Sequence, residues 1–172
     1  VVNPVAGIGG KVGLKGSDGE DTVQKALELG AVMESGQKAL IAVRLLDEVK
    51  EQITVYTCPG RMGAEVCEAA GLCYKLAGGD TAGGQELSSA GGQERPSAGG
   101  HTTSQDTRCA VERFLAAGVE FILFAGGDGT ARDIMDAAGT EVLVLGIPAG
   151  CKIHSGVFAL DPRRAGELAV RY

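Results

Sequence analysis

The stretch Val119-Glu120-Phe121-Ile122-Leu123-Phe124-Ala125-Gly126-Gly127-Asp128-Gly129-Thr130-Ala131-Arg132-Asp133-Ile134-Met135-Asp136-Ala137-Ala138 decides the fold. Its first seven residues form an apolar run bounded by glycine, the pattern of a buried strand. Ala131 to Ala138 reads as a helix. Between them Gly126 to Thr130 reads as a turn whose backbone N–H groups stay open and whose glycines admit an anion without interference from a Cβ. Asp128 is the one carboxylate inside that turn. An acid within an anion cradle suits chemistry in which a hydroxyl is deprotonated beside a phosphoryl donor. A plainer reading competes with it: glycine and aspartate are ordinary turn residues, and Asp128 or Thr130 could simply cap the helix. Arg132 weighs against that reading. A cation in the first helical turn meets an unfavourable dipole unless an anion lies close.

Working outward, short apolar runs alternate with helical patterns. Strands are expected at Val1-Val2, 53–57, 72–76, 119–125 and 141–145. Helices are expected at 21–33, 36–50, 62–70 and 107–117. The last carries an apolar stripe of Ala110, Val111, Phe114 and Leu115, and Thr103-x-x-Asp106 ahead of it has the form of a capping box. Alternation of this kind predicts an α/β fold, a Rossmann-like parallel sheet flanked by helices. In such sheets the ligand lies at the carboxyl ends of the strands, where Asp128 falls.

The chain has 172 residues, enough for one substantial core, and is expected to be a single domain over residues 1–172. A formal charge of −6 and the lack of any Lys/Arg block argue against nucleic acid or an anionic membrane as the main partner. No apolar run approaches the ~18 residues of a membrane span, and no secretory signal is visible. The five cysteines are scattered without a C-x-x-C pair, and there are two histidines. That usage fits free thiols in a cytoplasmic protein and predicts no zinc or His-based metal cluster.

From Ala82 the sequence AGGQELSS-AGGQERPS-AGGHTTS is an octapeptide repeat rich in Gly, Ser and Gln. Such a composition cannot bury a core, and it predicts a flexible low-complexity insertion at 78–101. A lid over the site is the functional alternative. Gly78-Gly79-Asp80-Thr81 mimics the 126–130 turn but opens no helix. Val1-Val2 reads as the tail of a strand already under way, and Arg171-Tyr172 falls inside a helical pattern, so a fragment of a longer protein is expected.

Two further loops carry chemistry. Asn3-Pro4-Val5-Ala6-Gly7 closes the first strand and leads into Gly9, Gly10, Gly13, Gly16 and Gly19, without matching the dinucleotide or Walker A spacing. Asn3 could hydrogen-bond a nucleotide, hold the 126–130 turn, or merely form an Asx turn before Pro4. Gly146-Ile147-Pro148-Ala149-Gly150-Cys151-Lys152-Ile153-His154-Ser155 follows the last strand and is expected to lead into a helix. Lys152 there could pair with phosphate or stay solvated.

Together, NPVAGIGGKVGLKGSDG, TTSQDT, FAGGDGTARD and GIPAGCKIHSGVFA resemble the ATP-NAD kinase-like proteins, within the superfamily of NAD kinases and diacylglycerol/sphingosine lipid kinases. The resemblance spans nearly the whole chain outside about 78–100. It implies the N-terminal nucleotide-binding domain of that fold, without the family's β-rich C-terminal domain. It implies transfer of phosphate from ATP, or polyphosphate, to the 2′-hydroxyl of NAD to give NADP. Asp128 would be the catalytic base. Gly126, Gly127, Gly129, Thr130, Asn3 and Lys152 would bind the nucleotides, and Mg²⁺ or another divalent cation would be held mostly by phosphates and water. Small-molecule nucleotides are the implied partners, a homo-oligomer the expected intact state, and the isolated domain is expected to be inactive. Cys151 stands where Val or Thr is expected and reads as an inert thiol. Two alternatives stay open. A lipid kinase would carry a Gly-Thr-Gly-Asn-Asp-like segment where this chain has Gly150-Cys151-Lys152-Ile153-His154. A non-catalytic nucleotide-binding accessory protein, of the acetoin-catabolism type, would keep the loops and lose the chemistry.

Overall fold

The computed structural model describes residues 1–14, 19–77 and 102–172. The repeat, the expected insertion at 78–101 and Gly16 lie outside the described residues. Among the described residues four short strands form, β1 (Tyr56–Thr57), β2 (Lys75–Leu76), β3 (Phe121–Gly126) and β4 (Leu143–Pro148). The helices are α1 (Ile8–Lys11), α2 (Glu20–Glu28), α3 (Ser35–Val43), α4 (Ala64–Ala70), α5 (Ser104–Ala116), α6 (Asp128–Ala138) and α7 (Pro162–Arg171). No described helix is long and apolar enough to cross a membrane.

The expected parallel α/β arrangement forms, but not as one continuous sheet among the described residues. β3 pairs with β4 and β1 pairs with β2, both in parallel. Val2 adds a single parallel bridge to Ala125 on one side of β3, and Phe158 adds one to Gly146 on the outer side of β4. The expected strands at 53–57 and 72–76 therefore shrink to two residues each, and Val1-Val2 to one bridge.

Successive side chains of β3 enter opposite cores, as a strand covered on both faces requires. Ile122 and Phe124 join Ala110, Val111 and Phe114 of α5 and Ala131, Ile134 and Ala138 of α6. Ala125 joins Ile147 of β4, Ala39 and Ala42 of α3 and Ala165 of α7. Phe124, fully buried, meets Phe158 edge-on with ring centroids 5.3 Å apart. Burying side chains of this size contributes about 1.5–3 kcal/mol each. On the other side α7 lies directly against α3: a Cβ on Gly166 would stand 2.5 Å from the carbonyl oxygen of Ala42.

Local signals account for the helix ends. Thr103 caps α5 as expected: its hydroxyl accepts the Asp106 N–H while the Asp106 carboxylate accepts the Thr103 N–H at 2.7 Å. The helix expected to reach Met33 stops at Glu28. Gly30 takes a left-handed conformation there and Ala31 N–H returns to the Ala26 carbonyl, the closure that ends many helices. The helix expected over 36–50 changes at Arg44 into the tighter 3₁₀ form through Val49. No helix begins at residues 152–155; the next is α7, where Asp161 caps the N-terminus and Pro162 occupies the first turn.

Candidate functional site

The register of β3 against β4 builds the site. Gly126 stands opposite Pro148, so the turns following the two strands emerge side by side. The Gly126 carbonyl accepts N–H bonds from Ala149 at 2.9 Å and Gly150 at 3.0 Å, which ties the second turn to the first. Their backbones meet without intervening side chains: a Cβ on Gly150 would be 2.8 Å from the Cα of Gly127. The Asn3–Gly7 loop packs against the same turn. Gly7 has φ +75°, and a Cβ there would stand 2.8 Å from the Ala149 carbonyl oxygen, so conformation and space both demand glycine. The expected open Gly-rich loop then continues as the short helix α1.

Asp128 does not sit in the middle of a loop. It is the first residue of α6, preceded by Gly127 in an extended conformation. From that position its carboxylate reaches the third loop. Oδ2 accepts the His154 N–H at 3.0 Å, and Oδ1 accepts the N–H groups of His154 and Ser155, both at 3.2 Å. Thr130, in the first turn of α6, is buried, and its Oγ1 accepts Asn3 Nδ2 at 2.9 Å. Asn3 Oδ1 also accepts the Val5 N–H at 3.2 Å, so of the roles open to Asn3 two are realised at once: it forms an Asx-type turn and it holds the 126–130 segment.

A cavity of about 830 Å³ opens over these loops. Asn3, Gly127, Asp128, Gly129, Thr130 and Lys152 all line it. Gly126 is buried behind that wall, where a Cβ would meet the Thr130 side chain at 2.5 Å. Lys152 is exposed at the rim. Cys151 lines the cavity too; its thiol points at the Gly7 carbonyl oxygen, 3.1 Å away, and all five cysteines are free.

The opposite wall was not foreseen as part of the site. Thr102, Thr103 and Ser104 at the start of α5, with Gln105 and Arg108, also line the cavity, and α5 packs against α6. Arg108 Nη2 pairs with Asp133 Oδ1 of α6 at 3.0 Å. The TTSQDT stretch announced a cap and carried part of the family resemblance, but nothing local in a sequence signals that position 108 will meet position 133.

The arrangement is three backbone-lined loops converging at the carboxyl ends of two parallel strands. A carboxylate stands on the first helical turn, where the macrodipole favours negative charge. In a comparison with known families, the model of the ATP-NAD kinase N-terminal domain matches residues 39–172. The chain belongs to the ATP-NAD kinase N-terminal domain family. That match covers the 126–130 turn and the third loop of the ATP-NAD kinase domain but begins after Asn3 and Gly7, whose part in the site rests on the contacts above. No curated protein and no solved structure matches the chain.

Among the described residues no group of three or more His, Cys, Asp or Glu side chains is arranged to hold a metal ion. The oxygen donors at the turn, Asp128 and Thr130, are of the hard type that Mg²⁺ accepts, and both already hold protein partners. They fit a cation as supporting contacts to an ion carried on phosphates.

Proposed function

We propose that this chain is the nucleotide-handling domain of a cytoplasmic NAD kinase-like phosphotransferase that moves a phosphoryl group from ATP, or polyphosphate, to the 2′-hydroxyl of NAD. The observation that carries the reading is Asp128 at the start of α6, facing the cavity from the end of β3. In the reaction the ribose oxygen forms a bond to the γ-phosphorus while the bond from the γ-phosphorus to the β,γ-bridging oxygen breaks, that oxygen staying on the β-phosphate. The hydroxyl proton passes to Asp128, and ADP leaves. The backbone N–H groups of Gly127, Gly129 and Thr130 meet phosphate oxygens, Gly126 leaves room for Thr130, and Asn3 fixes the turn from behind. Lys152 reaches over the rim towards phosphate. A divalent cation, when bound, would neutralise phosphate charge beside Asp128.

A second reading, a nucleotide-binding accessory protein without catalysis, is favoured by one observation: both Asp128 oxygens are engaged by the third loop. One experiment separates the two. The protein at its native length is incubated with Mg-ATP and NAD, and NADP is measured. NADP formation is expected. Tight ATP binding with no NADP from either ATP or polyphosphate would leave only the accessory reading.

A further inference from the structure

The wall facing the Gly127–Thr130 turn holds polar groups that the reaction described above does not use. Arg108 projects from α5 and is held by Asp133, whose side chain is 15 % exposed, while the arginine side chain keeps 43 % of its surface open. A guanidinium pinned through one nitrogen by a largely buried carboxylate has its planar fork set in advance, the state best suited to a phosphate. Arg108 Nε is buried and makes no hydrogen bond among the described residues, and neither does the buried Oγ1 of Thr102 on the same wall. Unmatched donors of this kind are uncommon, and each costs free energy until a partner arrives.

Position along α6 adds scale. Asp133 lies five residues beyond Asp128, about 7.5 Å of helix rise. A phosphate seated on the turn at Gly127–Thr130 lies nearer the start of α6 than the level at which Asp133 holds Arg108, and a chain of two or three phosphates, or the pyrophosphate of a dinucleotide, has the length to approach both.

We infer that Arg108, held by Asp133, forms a second anion subsite in this cavity, one that selects nucleotides carrying two or more phosphates over monophosphates. The inference rests on the reading of the cavity as a nucleotide site and adds a specificity residue to it.

Calorimetric titration of the full-length protein with ADP and with AMP tests it. Wild type is expected to bind ADP about tenfold more tightly than AMP or better, the advantage of one charge-assisted contact. Arg108→Gln is expected to bring the ratio towards one. Arg108→Lys, which keeps the charge and loses the fork, should fall between, and it serves as the reading variant if the glutamine variant does not fold. Arg163→Gln, on the exposed face of α7, should keep the wild-type ratio. An ADP:AMP ratio unchanged in folded Arg108→Gln, even with lowered thermal stability, would mean that the arginine only bridges α5 and α6, and would overturn the subsite while leaving the nucleotide site standing. Failure of both nucleotides to bind wild type would overturn the nucleotide reading itself.

Discussion

Asn3 and Thr130, separated by 127 positions, share a hydrogen bond of 2.9 Å from amide nitrogen to hydroxyl oxygen, and it joins the first loop to the first turn of α6. Thr130 is buried, so its hydroxyl loses its partner without gaining water when Asn3 is removed. Asn3→Ala is expected to destabilise the fold by about 1–3 kcal/mol, and Thr130→Val similarly. Urea unfolding of both single variants and the double variant measures the coupling. Fully additive losses would show that the pair does not act as a unit.

Asp128 is expected to serve two roles that substitution can separate. Asp128→Asn keeps an oxygen able to accept one loop amide but is a poor base, so turnover should fall about 10²-fold or more with nucleotide affinity little changed. Asp128→Ala should in addition free the third loop, and amide hydrogen exchange at His154 and Ser155 should accelerate. Exchange that stays slow in the alanine variant would mean that other contacts hold the loop.

The glycines of the turn should respond in opposite ways. Gly126→Ala drives a Cβ to within 2.5 Å of Thr130, and overpacking of this kind costs about 1–3 kcal/mol. Gly129 is helical and exposed, with nothing among the described residues within 4 Å of its Cβ position. Gly129→Ala should therefore stabilise the protein by about 0.5–1 kcal/mol, the usual helical gain, while weakening phosphate binding by crowding the anion's approach. Thermal unfolding and nucleotide titration read the two effects separately. A variant that is both stabler and an equal binder would remove Gly129 from the anion contacts.

Thiol chemistry should follow burial. Burial pushes the thiols of Cys58 and Cys67 up from their ordinary value, whereas Cys73 and Cys151 are exposed. Iodoacetamide at neutral pH should label Cys73 and Cys151 first and reach Cys58 and Cys67 only on unfolding. Because the folded state holds the two buried protons more tightly, stability from these groups is intact below the ordinary thiol range and declines as pH rises through it. Saturating nucleotide should protect Cys151, on the cavity wall, and leave Cys73 reactive. Equal protection of both would place Cys151 outside the ligand's reach.

What was legible in the sequence was local. The run 119–125 followed by paired glycines fixed a buried strand and a turn, and Thr103 with Asp106 marked the start of α5 because a capping box is complete within four residues. Boundaries slipped where a local signal competed. Apolar periodicity ran on to Met33, yet Gly30 ended α2 earlier, and Gly146-Ile147-Pro148, loop-like in composition, pairs with Phe124 to Gly126 edge to edge as the end of β4. The gathering of Asn3, Thr130, Asp128 and Lys152 at one cavity followed from strands expected to share carboxyl ends. The amides of His154 and Ser155, and Arg108 with Asp133, were not legible, since a backbone donor has no sequence signature and a cross-helix pair depends on packing.

The contact between Asn3 and Thr130, with Gly7 lodged under Ala149, also sets a schedule for the newborn chain. At ~5–20 residues per second, on the order of 10 s separates the synthesis of Asn3 from that of His154. Through that interval Val5 and Ile8 can pack on Val23 and Ala26 of α2 and on Ala31 just after it, but the strands and loops that complete the binding surface are still missing. Nucleotide can therefore stabilise only a chain whose third loop has already left the ribosome, so ligand in the cell acts as a late inspector of completed molecules rather than as an aid to their early folding.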